Sequence, residues 1–340
     1  MPQMAELRWQ NKSIPASSDL RGVLAMGLLA AWFYFVWQLF SLPPFAASQA
    51  RLAPLLRFAL EKGQYMPDFG MIIAGVAAFH FNRQLWRVWD RRIAIRVYLA
   101  VVVPLLAYLA VAVLLLEAVH FAGPAHSFVL PWQDRLMGVQ FRVVGTAAVF
   151  AAVLPPCLYW LWTAVPDVGW ACIALCFGYY GLIFHIHSHR FIWMWPPTAL
   201  VDFILGAALC ASLFRAVEFL AAVRGPTIIL GWLALLAGSI LNGPSIFFLG
   251  FVMIVAGTAI SERTAFLPGE GLLLLWSRTA LAIILVQPAV LTAWLLWGSH
   301  MPYSGLSLLL SLAAATQILA LLLTVIVDQP ARRLTPAQPA

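Results

Sequence analysis

Apolar residues fill this chain in long blocks separated by short polar punctuation, and block length is the first informative quantity. A helix needs about 20 mainly apolar residues to cross ~30 Å of hydrocarbon, and only a helix satisfies its backbone hydrogen bonds within one such segment. Ten blocks are candidate spans: residues 20–41, 69–82, 98–121, 143–163, 168–187, 199–214, 226–241, 245–260, 272–297 and 304–327. The pattern predicts an all-α, polytopic membrane protein of about ten transmembrane helices. Gly225-Pro226, Asn242-Gly243-Pro244 and Pro268-Gly269 read as tight helix connections. The longest interruptions, 42–68 and 122–142, mix arginine with apolar residues as interfacial segments do. Pro104, Pro155-Pro156 and Pro288 fall inside blocks and predict kinks. The first block is too long for a signal-peptide core and is read as a retained helix. The whole of 1–340 is one transmembrane domain on this reading, with polar tails at 1–18 and 329–340.

Composition agrees with the pattern. The chain is 63% hydrophobic and 10% charged, with mean hydropathy +0.90, which excludes an ordinary soluble enzyme. Charge adds direction. In the ten-helix scheme Arg51, Arg57, Lys62, Arg135, Arg142 and Arg190 fall on one side, and the other 14 of the 20 Lys and Arg on the side shared by both termini. The positive-inside rule then puts both ends in the cytoplasm. Cys157, Cys172, Cys176 and Cys210 lie in apolar blocks without metal-ligand spacing and read as packing residues, so no metal is expected.

A few polar residues break the apolar blocks and are the candidates for chemistry. The opening stretch SSDLRG, 17–22, offers Ser18 or Asp19 as helix cap, but leaves Arg21 at the positive end of a helix dipole, where an anion is favoured. Residues 83–96, RQLWRVWDRRIAIR, carry five arginines around Asp90. Arg87 with Arg91, and Arg92 with Arg96, share helical faces, and guanidinium forks match phosphate oxygens. A nucleotide-like phosphate and anionic membrane lipid both fit them, the same arginines also serving to fix topology; no nucleic-acid partner is expected. Ionisable groups expected to be buried are Asp68, Glu117, His120 and Asp202, of which Glu117 and His120, three apart, make a plausible acid/base pair. His185, His187 and His189 alternate, so a helix cannot aim all three one way; they read as an interfacial belt or the lining of a sugar-like acceptor site.

Several stretches, in order, resemble the acyltransferase-3 family of integral membrane O-acyltransferases. DLRGVLA, 19–25, is similar to its opening Asp-Gly-Leu-Arg-Gly-Leu-Ala signature, one residue shorter; MPDFGMIIAGVAAF, 66–79, to its second-helix motif; LWRVWDRRIAIRVY, 85–98, to its Arg-Arg-x-x-Arg segment; ALVDFILGAAL, 199–209, to its acidic-Phe-x-x-Gly helix; and VIVDQPARRL, 325–334, to its Glu-x-Pro-x-Arg-Arg close. The resemblance implies transfer of an acetyl or similar acyl group from a cytoplasmic thioester, acyl-CoA, to a hydroxyl of a glycan or glycolipid across the bacterial inner membrane. It implies that Arg21, with Arg87, Arg91, Arg92 and Arg96, holds the donor's phosphates. Two positions depart from it. The family's first helix carries a His eleven residues after the Arg, where this chain has Trp32, and its ninth-helix His position is Gln287, which is no base. The proton acceptor must come from elsewhere, with Glu117, His120, His80 or the 185–189 histidines as candidates, and Asp68, Asp202 and Gln287 on the acceptor side. A silent, acyltransferase-like scaffold subunit of a membrane complex is the alternative, and a transporter the third reading.

Overall fold

The computed structural model describes residues 21–42, 62–86, 91–123, 168–186, 200–210, 223–241, 244–259, 279–298 and 306–334. Among them there is helix, a few turn positions and no strand. The nine helices are α1 (Arg21–Ser41), α2 (Met66–Trp86), α3 (Arg91–Ala122), α4 (Val168–Ile186), α5 (Leu200–Cys210), α6 (Arg224–Ile240), α7 (Pro244–Ala259), α8 (Ala280–Ala293) and α9 (Leu306–Leu334). A 3-10 turn, Lys62–Tyr65, leads into α2, and α8 continues as a π turn, Trp294–Gly298.

The helices form where the apolar blocks predict them, with local differences that follow from proline and packing. Gly225-Pro226 is no connection: α6 begins at Arg224 and holds Pro226 in its first turn, where a missing N–H costs nothing. Pro244 opens α7 for the same reason. Pro104 and Pro288 stand inside α3 and α8, both of which continue past them. The expected tail from 329 starts as helix, because α9 runs to Leu334. The block at 143–163 and the connections at Asn242-Gly243 and Pro268-Gly269 lie outside the described residues. Two helices, over Ala280–Trp297 and Ser307–Val327, are long and apolar enough to cross a membrane, and seven described apolar helices are shorter.

Contacts between side chains set the helix directions. Gly27 of α1 lies against Ile73 of α2, while Gly63 lies against Trp37 and the Phe33 carbonyl, so α1 and α2 are antiparallel. The register puts Asp68 level with Trp32. α2 and α5 cross closely: Gly206 meets the Ile72 backbone and Gly75 that of Phe203 and Ala207, each glycine so close that a Cβ would collide with a carbonyl oxygen, and with Asp202 beside Asp68, four residues earlier in each helix, the two run parallel. Phe69 stacks on Phe251 and Tyr65 packs on Phe247 and Phe248, which makes α7 parallel to α2 as well. α6 and α7 form an antiparallel hairpin in which Gly231 and Gly250 face each other.

Three buried clusters result. The largest joins α2, α4, α5, α6 and α7 to one side of α1 through Ala30 and Tyr34. On other faces of α1, Leu28 and Ala31 pack with α3, α8 and α9, and Phe35, Leu39 and Leu42 pack with Val290, Leu291, Leu308 and Leu312. α1 is therefore the hub, with α8 parallel to it and α9 antiparallel. Outward faces are strongly apolar: Leu106, Leu114, Trp170, Leu175, Trp232 and Ile326 are all exposed.

Candidate functional site

The site begins with two short acidic signals. Asp68 stands in the first turn of α2, in MPDFG, where the helix dipole favours an acid, and Asp202 lies in α5. The glycine crossing locks these parallel helices side by side, so the two acids meet. Asp202 is fully buried and Asp68 nearly so, and the two acids are close enough to interact electrostatically. The Tyr180 hydroxyl of α4 donates to Asp202 Oδ1, while Oδ2 receives no hydrogen from any N–H or hydroxyl donor.

Aromatic packing holds this arrangement. The Tyr180 ring lies flat on Phe248 of α7, with centroids 4.9 Å apart and planes 2° apart. Phe69, one residue after Asp68, stacks on Phe251 at 4.1 Å. Cys176, one turn before Tyr180, points its Sγ at the Val201 carbonyl, 3.7 Å away, next to Asp202. None of the three described cysteines is in a disulfide. The result is a buried pair of acids among aromatic rings, in which Asp202 Oδ1 accepts from Tyr180 and Oδ2 has no donor. Such a pair can take a proton on one member and release one from the other. No group of three or more His, Cys, Asp or Glu is placed to hold a metal among the described residues.

A second polar site lies on another face of α1. Gln287 of α8 is fully buried; its Nε2 donates to the Ala31 carbonyl at 3.1 Å and its Oε1 has no partner. Ala31 precedes Trp32, whose ring meets Phe35 edge-on at 5.5 Å. Positions 32 and 287, far apart in the chain, are thus neighbours. Two turns further along the same face, Gln38 is buried with neither amide atom hydrogen-bonded.

The other predicted site residues distribute as follows. Arg21 begins α1, and Arg91, Arg92 and Arg96 occupy the first two turns of α3, which starts five residues after α2 ends. Because α2 is antiparallel to α1, these beginnings share one end of the bundle. Eleven residues of α1 separate Arg21 from the level of the carboxyl pair, about 16 Å at 1.5 Å per residue. Arg87, His187 and His189 lie outside the described residues; His80, His120 and His185 lie in α2, α3 and α4, described by backbone alone. Glu117, expected among the buried groups, is exposed. The buried stripe of α3 is Tyr108, Ala112 and Leu116, whereas Glu117 continues the outward stripe of Leu106, Val113 and Leu114. Asp68, expected among the buried groups, is buried, in the first turn of α2 and after a 3-10 turn that packs beside Trp37.

The structure brings together Asp68 and Asp202 and holds Gln287 apart from them, in a different cluster. Sequence reasoning missed Tyr180, one of two adjacent tyrosines in an apolar block; the signal was that a buried Asp202 needs a donor, and α4 is the next helix back along the chain. Gln38 was missed too, although a glutamine among apolar residues is legible as an anomaly. Comparison of the chain with protein-family models, with curated proteins and with solved structures finds no match.

Proposed function

We propose that this chain is a polytopic inner-membrane protein of the acyltransferase-3 type, which moves an acetyl or similar acyl group from cytoplasmic acyl-CoA to a hydroxyl of a glycan or glycolipid. The observation that carries the reading is the meeting of positions 32 and 287 across the α1–α8 seam, through Gln287 and the Ala31 carbonyl. These are the two positions at which the resembled family carries imidazoles, and their closeness suits a site built between the two helices. The arginine-bearing beginnings of α1 and α3 at one bundle end suit a phosphate-rich donor on one side of the membrane. The exposed apolar faces suit lipid contact. The parallel and antiparallel pairs found are those that ten alternating spans with cytoplasmic termini require.

One observation favours a second reading, a catalytically silent scaffold subunit of a membrane complex. At the family's imidazole position Gln287 spends its N–H on a backbone carbonyl and has no titratable group. Mass analysis of surface glycans from cells with and without this protein decides between the two. The enzyme reading expects an acyl mass to vanish from the glycan when the protein is removed. Unchanged acylation, with partners still co-purifying, refutes it in favour of the scaffold.

A further inference from the structure

The polar side chains that interrupt the apolar interior are not spread evenly. Four of the five buried side-chain N and O atoms that lack a hydrogen-bond partner among the described residues belong to α1, α8 and α9: Gln38 Nε2 and Oε1, Gln287 Oε1 and Thr316 Oγ1. We infer that the seam between these three helices is a place built to open, which admits water to Gln38, Gln287 and Thr316 as α8 bends between Pro288 and its π turn. This device goes beyond the acyl-transfer reading and stands without it.

The three residues occupy matching positions. On α9 the buried stripe runs Leu308, Leu312, Thr316, Ala320 and Leu323, so Thr316 separates the cluster that holds Leu312 from the one that holds Ala320. On α8, Gln287 falls between Val286 of one cluster and Val290 of the other, and on α1 the junction lies between Ala31 and Phe35. A polar layer thus divides two apolar clusters that would otherwise be continuous. Gln38 stands two turns beyond Ala31. Because α8 runs parallel to α1 with Gln287 at Ala31, Gln38 is level with Trp294, the first residue of the π turn.

Side-chain chemistry and backbone point the same way. A buried donor or acceptor without a partner has lost its hydration and received nothing in return, so an excursion that lets water in is favoured relative to a seam of apolar side chains. The α8 backbone is weakest over the same stretch. Pro288 has no N–H to give the Ile284 carbonyl, and six residues on, the Trp294 N–H is shared between the Val290 and Leu291 carbonyls where the helix widens into the π turn. Prolines and π turns are places where helices bend. The other side of α1 is a contrast: glycines bring the backbones of α2 and α5 into contact there, and aromatic rings stack beside them. Local opening therefore begins at the seam.

The test reads water at the seam through the chemistry of a thiol, because N-ethylmaleimide reacts with the thiolate, and a thiol held in a dry apolar interior does not ionise. The full chain, with Cys157, Cys172, Cys176 and Cys210 changed to alanine, carries one new cysteine: Val290→Cys, between Pro288 and the π turn, or Val252→Cys, in the largest cluster. The two valines are matched at 6% and 7% exposure, so a static interior labels both alike. Labelling in membranes is followed by mass spectrometry of the intact protein. Val290→Cys is expected to react at least about tenfold faster than Val252→Cys, and Gln38→Leu with Thr316→Val to slow it about tenfold, as removal of buried unpaired polar groups should. Pro288→Ala, which returns an N–H to the Ile284 carbonyl, is expected to slow it too. Equal rates at positions 290 and 252 overturn the inference, and so does a rate at 290 that neither Gln38→Leu with Thr316→Val nor Pro288→Ala slows. Should Val290→Cys fail to reach the membrane, Leu291→Cys takes its place and is judged by the same comparison.

Discussion

Gly206→Ala puts one methyl group where α5 crosses α2, and its consequence can be worked from the structure. The added Cβ falls well inside contact distance of the Ile72 carbonyl oxygen and carbon. These are backbone atoms, so no rotamer change can relieve the clash. The helices must part or slide, loosening the reciprocal contact of Gly75 with Phe203 and the reach between Asp68 and Asp202. Overpacking a well-filled core costs about 1–3 kcal/mol; with rigid backbone on both sides the upper part of that range applies. A loss of about 3 kcal/mol is roughly a 150-fold fall in the folded-to-unfolded ratio. Gly70→Ala and Gly178→Ala are the controls, since a Cβ there meets nothing within 4 Å. Helix propensity alone makes those two neutral or stabilising, by up to ~1 kcal/mol. The assay is equilibrium unfolding of the purified protein in mixed micelles, followed by helical circular dichroism. Equal stability of Gly206→Ala and Gly70→Ala would refute the close crossing and with it the geometry of the carboxyl pair.

Phe69→Ala removes a ring stacked at 4.1 Å on Phe251 and is expected to cost about 3–5 kcal/mol in the same unfolding assay; a cost under ~1 kcal/mol would mean that the α2–α7 contact is not formed. Gln38→Leu replaces a buried amide that has no partner by an apolar side chain of similar size, so stability should rise by about 1–2 kcal/mol; a fall would show that the amide is satisfied after all. Gln287→Leu gives up one hydrogen bond to Ala31 but also an unpaired oxygen, and a change within about 1 kcal/mol is expected, whereas a larger loss would make this amide a main fastening of the α1–α8 seam. Arg21→Ala should abolish glycan acylation while leaving the helical circular dichroism of the purified protein unchanged; retained acylation would remove Arg21 from the donor site.

Much of the helical layout was legible because its cause is local. Block length and proline placement act within a few residues, and every described helix falls in or around a predicted block. The acids were legible as anomalies, Asp68 and Asp202 being charges in apolar surroundings. Their pairing was not, because it depends on which two helices lie in contact, and the glycines that allow the approach carry no label naming their partner. Asp68 was read as buried and is so, with Lys62–Tyr65 packed beside α1 just before it. Glu117 was misread: its sequence neighbours are apolar, yet helical periodicity turns it to the outward face with Val113 and Leu114.

The parallel pairing of α2 with α5 also bears on how the protein is made. Helices that run the same way through an alternating bundle cannot be neighbours in sequence, so Asp68 leaves the ribosome long before Asp202 and Tyr180 do. Until α4 and α5 follow, Asp68 has neither of its described partners, and on the proposed membrane reading an acid alone in hydrocarbon is costly. On that reading the early chain has reason to hold the beginning of α2 near water. Closure of the glycine crossing then becomes a late step, which seals the carboxyl pair from solvent as it completes the bundle.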